Sequence, residues 1–276
     1  MRTFVFAVSM SVGAVAAAQQ KPDPPVAATH KKPVELVEFP SEESMARLSR
    51  SRHKVDFFFL ANQFESQENR ADCGPTSAVI VLNALRANDE RVGKPRDESA
   101  FPAEFAKALP PGIDPVFRRY TQRTFLDERT DKVKPRAQFY GRPASPGARP
   151  DGGLQLRQLD GMLRAYGLAT TLRVAEPSLT DEAMRRELVA NLGRAGDFVI
   201  VNYFRPALGQ RGGGHLSPLG AYDEASDSFL ILDVNPNGQR WVWVPAADLF
   251  RAMRTRDVVE PRGYVLVSEG STKPPK

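Results

Sequence analysis

Cysteine is almost absent from this chain: Cys73 is the single example in 276 residues. One thiol cannot close an internal bridge, so a disulfide framework is excluded. A thiolate-rich metal centre is a poor fit too, because such a site takes about four converging ligands. The only three histidines, His30, His53 and His215, are scattered along the sequence. Beyond the N-terminus no apolar run is long enough for a membrane span. Charge is nearly balanced as well, with 38 basic against 33 acidic residues and a net +5. The arginines are dispersed without interleaved aromatics, which argues against nucleic acid as a partner. A mildly basic surface suits a small anionic substrate. No internal repeat is visible.

The chain opens with a secretory pattern. Arg2 supplies a positive charge, Phe4 to Ala18 is apolar but too short to span a bilayer, and Ala16-Ala17-Ala18 offers a cleavage site. Residues 1–18 are therefore expected to be a signal peptide, the mature protein being exported and free of the membrane. Residues 19–50, polar and proline-rich at Lys21-Pro22-Asp23-Pro24-Pro25 and His30-Lys31-Lys32-Pro33, read as a flexible tether. Residues 51–270 form one domain and 271–276 a tail.

Within that domain, Phe57-Phe58-Phe59-Leu60 is a short apolar run leading into a loop. A helix apolar almost all round runs from Cys73 to about Arg86, and Pro75 is tolerated there because it falls in the first turn. Asn88 to Gly153 is rich in charge, proline and glycine, and reads as an irregular lobe with helical fragments at 103–109 and 115–125. Helical spacing returns at Leu156, Leu159, Leu163 and Tyr166, closed by Gly167. A strand at 170–174 and a helix at 182–192 follow. The C-terminal third is mostly strands, at 198–203, 215–222, 229–234, 241–244 and 263–268, with one helix at 246–253. Helices first and an antiparallel sheet afterwards give an α+β domain.

A lone cysteine is most often a small buried hydrophobe. Cys73 has a different setting, in Gln67-Glu68-Asn69-Arg70-Ala71-Asp72-Cys73-Gly74-Pro75 at the head of the buried helix. A glutamine six residues ahead of such a cysteine is the layout of a papain-like thiol nucleophile with its oxyanion amide. The thiol needs a base, and the base needs an orienting group. His30 lies in the tether and His53 at the domain edge, which leaves His215, in Gly212-Gly213-Gly214-His215. Asp233 ends the apolar strand Phe229-Leu230-Ile231-Leu232, where an acid is expensive without a partner. Any antiparallel register of even index sum puts His215 and Asp233 on one sheet face, and a sum of about 448 sets them directly opposite. Cys73 beside His215 at a helix N-terminus is expected to rest as a thiolate. Asp233 fixes the imidazole, and Gln67 with the Cys73 N–H receives the oxyanion.

Read together, these residues resemble the phytochelatin synthase family of papain-like enzymes over about Phe57 to Ser268. The motifs that carry the resemblance are Gln67…Cys73-Gly74-Pro75…Val81-Leu82-Asn83-Ala84-Leu85, Gly213-Gly214-His215-Leu216-Ser217-Pro218-Leu219-Gly220-Ala221-Tyr222, Leu230-Ile231-Leu232-Asp233-Val234, Trp243-Val244 and Arg262-Gly263-Tyr264-Val265-Leu266-Val267-Ser268. The resemblance implies a papain-like cysteine peptidase fold and a Cys73/His215/Asp233 triad. It implies cleavage of glycine from glutathione through a γ-glutamylcysteinyl acyl-enzyme, passed to water or to a second glutathione. Asn202, Gly214, Asp257 and Arg262 fall where the family would hold the γ-glutamyl end. No resident cofactor or metal is implied; cadmium or zinc would enter as glutathione-thiolate complexes. Plant members carry a cysteine-rich C-terminal extension, whereas this chain stops at Lys276 with no second cysteine. It looks like the short bacterial form, for which hydrolysis is favoured and export leads to the periplasm. Within the lobe, Thr121-Gln122…Phe125 is the one recognisable piece.

Two other readings stay open. A papain-like protease acting on peptides shares the glutamine–cysteine layout. A non-catalytic exported thiol- or metal-binding protein is the second, although no triad member is missing. The oligomeric state is also open, a homodimer included.

Overall fold

A computed structural model describes residues 33–237 and 240–270. The expected signal at 1–18, residues 19–32 of the tether and the 271–276 tail lie outside the described residues. The order of elements is β1 (Val37–Glu38), α1 (Glu42–Arg50), α2 (Val55–Asn62) and α3 (Cys73–Arg86), then four one-turn helices, α4 (Ala103–Ala106), α5 (Gln122–Phe125), α6 (Glu128–Asp131) and α7 (Arg136–Phe139). After these come α8 (Leu156–Ala165), β2 (Ala169–Val174), α9 (Asp181–Leu192), β3 (Asp197–Phe204), β4 (Gly214–Asp223), β5 (Ser228–Ile231), β6 (Val242–Pro245), α10 (Ala246–Met253) and β7 (Gly263–Ser268).

The strands form one antiparallel sheet in the order β1-β6-β5-β4-β3-β7-β2. Both faces of its centre are covered, which is why β3 reads as an unbroken apolar run rather than an alternating one. Phe198 and Ile200 pack into a core shared with α3 and α8, while Val199, Val201 and Tyr203 pack against α9 and α10. All of α3 is buried except Ala84 and Leu85. A helix with no polar face must sit at the centre, and α3 does, between α2, α8 and the sheet. Its far end is anchored by Arg86, which pairs with Glu269 at 2.5 Å and donates to the Tyr166 carbonyl at 3.1 Å.

Two expectations need correction. Residues 33–50 are no tether: β1 pairs with β6, Val37 facing Trp243. Trp243 donates its indole N–H to the Ser44 carbonyl in α1 at 3.1 Å, and Arg50 grips Asp223 at 2.6 and 3.0 Å. These partners lie some two hundred residues away, so local composition could not reveal them. The apolar run Phe57–Leu60 lies in α2, with Leu60 fully buried and Phe58 exposed. Of the expected 115–125 fragment, only the turn Gln122–Phe125 is helical. Among the described residues no helix is long and apolar enough to cross a membrane.

Asp56, in the first turn of α2, is fully buried, and neither carboxylate oxygen has a partner among the described residues. Burial, then the Asp197 charge, push its pKa up to about 9, against Arg194. The folded state thus holds this proton more tightly than the unfolded chain. No penalty exists below the unfolded value, near pH 4, and the penalty grows as pH rises toward the folded value. Asp56→Asn is expected to stabilise the fold, by a margin growing at most ~1.4 kcal/mol per pH unit. Thermal unfolding of both proteins at about pH 5 and about pH 8 checks this, and a gain equal at the two pH values overturns it.

Candidate active site

Cys73 is the first residue of α3 and the free, buried cysteine of the core. The Asp72 carboxylate does not cap this helix. The Asp72 carbonyl instead accepts from the Thr76 hydroxyl at 2.7 Å, and the Cys73 carbonyl from the Ser77 hydroxyl at 2.7 Å. The thiol stands at the helix N-terminus, where unpaired N–H groups and the macrodipole favour an anion.

His215 approaches from β4. Its register with β3 sets it opposite Tyr203, and the two rings meet edge to face with centroids 5.7 Å apart. Its Nε2 lies 3.1 Å from Asp233 Oδ1, and the imidazole and the Cys73 thiol are close enough to shift each other's pKa. With Nε2 engaged by the carboxylate, Nδ1 is the ring atom left for sulfur.

The pairing that joins His215 to Asp233 depends on a bulge. Near the hairpin turn Tyr222 faces Phe229 and Ala221 faces Leu230, an odd index sum that would put the two residues on opposite faces. The register shifts between Leu219 and Ala221, so that Leu219 faces Ile231 and the sum becomes even. Continuing that ladder past the Leu232 N–H to Pro218 carbonyl bond sets Ser217, not His215, opposite Asp233. The expected direct opposition is thus a diagonal one on the same face. A diagonal spacing of about 7–8 Å suits an imidazole reaching a carboxylate.

Asp233 is buried and accepts from four donors. Besides His215, these are Arg205 Nη2 at 2.8 Å, the Tyr203 hydroxyl at 3.1 Å and the Asn235 N–H at 2.9 Å. Burial alone would raise this acid, but His215 and Arg205 hold it well below the usual carboxylate range. Burial likewise opposes charge on His215, and Asp233 and Cys73 outweigh it, raising the imidazole pKa. For Cys73, burial pushes the thiol up, while the His215 hydrogen bond and charge, the Leu216 backbone and the Arg205 cation pull it down, with a net lowering. A lowered thiol and a raised imidazole bring the two values toward each other, the direction that favours a thiolate–imidazolium pair.

Gln67 is buried on the turn leading to α3, its backbone N–H bonded to the Val234 carbonyl at 2.8 Å. The loop is thereby tied to the neighbour of Asp233. Its Nε2 donates one hydrogen to the Asn69 carbonyl at 2.6 Å; an amide nitrogen carries two, so a second remains for an oxyanion.

Asn202, Gly214, Asp257 and Arg262 form one cluster. Asn202 Nδ2 donates to Asp257 at 3.0 Å, and Arg262 Nη2 lies 3.3 Å from the other Asp257 oxygen. A Cβ at Gly214 would stand 2.9 Å from Arg262 Nη2, so glycine is what lets the guanidinium lie there. In the ladder Phe204 faces Gly214, Tyr203 faces His215 and Asn202 faces Leu216. Asn202 and Gly214 thus occupy the ladder positions that flank the Tyr203–His215 pair, where side chains alternate between the two faces of the sheet. Among the described residues, no group of three or more His, Cys, Asp or Glu side chains gathers as metal ligands.

Sequence reasoning missed Arg205 and Tyr203. A signal existed: Arg205 follows the apolar strand Phe198–Phe204 as Asp233 follows its own, and the same cost argument applies to it.

A buried thiol at a helix N-terminus, an imidazole on β4, a carboxylate just past the end of β5, and an amide on the preceding turn make a cysteine-nucleophile site of the papain-like kind. The model of the phytochelatin synthase family matches residues 27–98 and 112–264; the chain belongs to that family. Among its relatives, a protein of Arabidopsis thaliana named glutathione γ-glutamylcysteinyltransferase 2 is 38% identical over 79% of this chain and 41% of its own. Glutathione γ-glutamylcysteinyltransferase 3 of Lotus japonicus is 28% identical over 77% and 37%, and the enzyme of that name from Schizosaccharomyces pombe 24% over 77% and 43%. The chain spans about two-fifths of the length of these relatives. Xylellain, a cysteine protease from Xylella fastidiosa, aligns over 90% of this chain and 94% of its own, with 14% identity and a TM-score of 0.38.

The thiolate assignment predicts a pH profile. Alkylation of Cys73 by iodoacetamide is expected to be half-maximal below the ordinary thiol value of about 8.5. In Arg205→Gln, which removes a cation that lowers the thiol pKa, the midpoint moves up; in His215→Ala it moves up further. Rates measured across pH by mass spectrometry check both shifts, and a wild-type midpoint at the ordinary value overturns the assignment.

Proposed function

We propose that this chain cleaves the cysteinyl–glycine amide of glutathione. The Cys73 thiolate attacks the carbonyl, and the Gln67 amide and the Cys73 N–H receive the oxyanion. The C–N bond breaks as the His215 imidazolium gives its proton to the departing glycine amine. A γ-glutamylcysteinyl thioester remains on sulfur. His215, now neutral, takes a proton from water or from the amino group of a second glutathione, and that nucleophile displaces the thiolate. Hydrolysis yields γ-glutamylcysteine; transfer yields a chain longer by one γ-glutamylcysteinyl unit.

The observation that carries this reading is the Asn202–Asp257–Arg262 cluster, whose Asn202 lies one ladder position from the pair that contains His215. A γ-glutamyl group ends in a free ammonium and a free carboxylate. Asp257, whose side chain is partly exposed, suits the first, and the buried Arg262 suits the second. An ordinary peptide protease has no need of a paired acid and base for a zwitterion. The names of the relatives, glutathione γ-glutamylcysteinyltransferases, agree with this substrate. Cadmium or zinc thiolates of glutathione are proposed as further substrate forms. Export to the periplasm is proposed on the pattern of residues 1–18, and glutathione there would be the substrate encountered.

With reduced glutathione, wild-type protein is expected to release glycine, and Cys73→Ala none. Mass spectrometry with and without cadmium or zinc separates γ-glutamylcysteine from longer products. Arg262→Ala is expected to lower kcat/KM about 10- to 100-fold, mainly through KM, the range for loss of a charged hydrogen bond. Glycine release undiminished in Cys73→Ala would falsify the mechanism, and an unchanged KM in Arg262→Ala overturns the substrate cluster.

A further inference from the structure

Gln122 lies in α5, on the irregular lobe, and is buried. Its side-chain amide bridges the backbone on either side of Gln67. Nε2 donates to the Ser66 carbonyl at 2.9 Å, and Oε1 accepts from the Glu68 N–H at 2.9 Å. The intervening Gln67 N–H is taken by the Val234 carbonyl from the sheet. Three successive residues are therefore gripped, from the lobe on one side and the sheet on the other. Beyond them the turn continues to hold itself: Asn69 accepts from the Ala71 N–H at 2.9 Å and donates to Asp72.

The arm that carries Gln122 is itself fixed to the nucleophile helix. Asn83 of α3 donates to the Tyr120 carbonyl at 2.9 Å and accepts from the Tyr120 N–H at 3.1 Å. Thr121 and Thr124 cap α5 reciprocally, and the Thr121 hydroxyl donates to Asp97 at 2.7 Å. One strut thus connects the helix of the nucleophile to the loop of the oxyanion donor.

We propose that Gln122 is a positioning residue for this reaction, holding the Gln67 amide where it meets the tetrahedral oxyanion. The inference rests on the acyl-transfer chemistry proposed above and gives the lobe a part in it. Oxyanion donors act through geometry set before the reaction, so a loosened loop loses rate even though its amide is still present.

The test compares wild type, Gln67→Ala, Gln122→Ala and the double variant in two reactions of Cys73. Acylation by p-nitrophenyl acetate passes through a tetrahedral oxyanion; alkylation by iodoacetamide does not. Glycine release from glutathione is followed in parallel. Gln122→Ala is expected to slow acylation about 10- to 100-fold, with alkylation within about twofold and the double variant no slower than Gln67→Ala. With glutathione the loss is expected in kcat rather than KM. Effects that multiply in the double variant, or alkylation falling together with acylation, overturn the proposal. Gln122→Glu keeps the shape and the acceptor for Glu68 but loses the donor to Ser66. Its expected intermediate acylation rate keeps the proposal testable where Gln122→Ala does not fold. A wild type that releases no glycine overturns the glutathione reading, while the ratio of acylation to alkylation still decides the role of Gln122.

Discussion

The site depends on one buried carboxylate. An ionised group moved out of water costs several kcal/mol unless it is paired and fully hydrogen-bonded. Asp233 meets that condition only because four donors converge on it: Arg205, Tyr203, His215 and its own near neighbour Asn235. Three of these belong to, or directly follow, strands β3 and β4. The chemistry is therefore conditional on sheet register. The shift between Leu219 and Ala221 restores the parity that brings Asp233 and His215 to one face. Removing it would turn the acid away from the base and leave a charge unpaired in the core.

Much of this was legible in the sequence, because the signals were local or obeyed a parity rule. The helix at Cys73 showed itself by lacking a polar face. His215 followed by elimination among three histidines, and Asp233 from the cost of an acid at the end of an apolar strand. Parity placed the two on one face, although their diagonal offset needed the bulge, which no residue pattern announces. Arg205 was missed because its partner is named only by register. The segment 33–50 was misread for a related reason. Its composition is polar, and what orders it is distant: Trp243 across the ladder from Val37 and Asp223 against Arg50.

The lobe at 88–153 shows the same limit from the other side. It lacks periodicity, and its order comes from single polar contacts rather than from an apolar face. Asn83 holds Tyr120, Gln122 holds the Gln67 turn, and Lys134, buried, gathers Asp151, the Gly153 carbonyl and Gln158. Such contacts fix irregular backbone well, but each is a property of two residues far apart in sequence. Periodicity could predict that this stretch is irregular, but not which contacts tie it to the Gln67 turn and to α3.

Arg205 also bears on the charge balance of the thiol site. Related cysteine sites orient their histidine with a neutral asparagine, and there a thiolate and an imidazolium cancel by themselves. Here the orienting group is an anion. With Asp233 alone, the neutral arrangement is imidazolium against carboxylate with the thiol still protonated; ionising sulfur as well would leave a net negative charge in a buried cluster. Arg205, 2.8 Å from the carboxylate and itself buried, removes that excess. With it, thiolate, imidazolium, carboxylate and guanidinium sum to zero, so the reactive state is also an electroneutral one. An aspartate in this role thus calls for a buried cation beside it, and the arginine that ends the neighbouring strand supplies that charge without touching the thiol's partner.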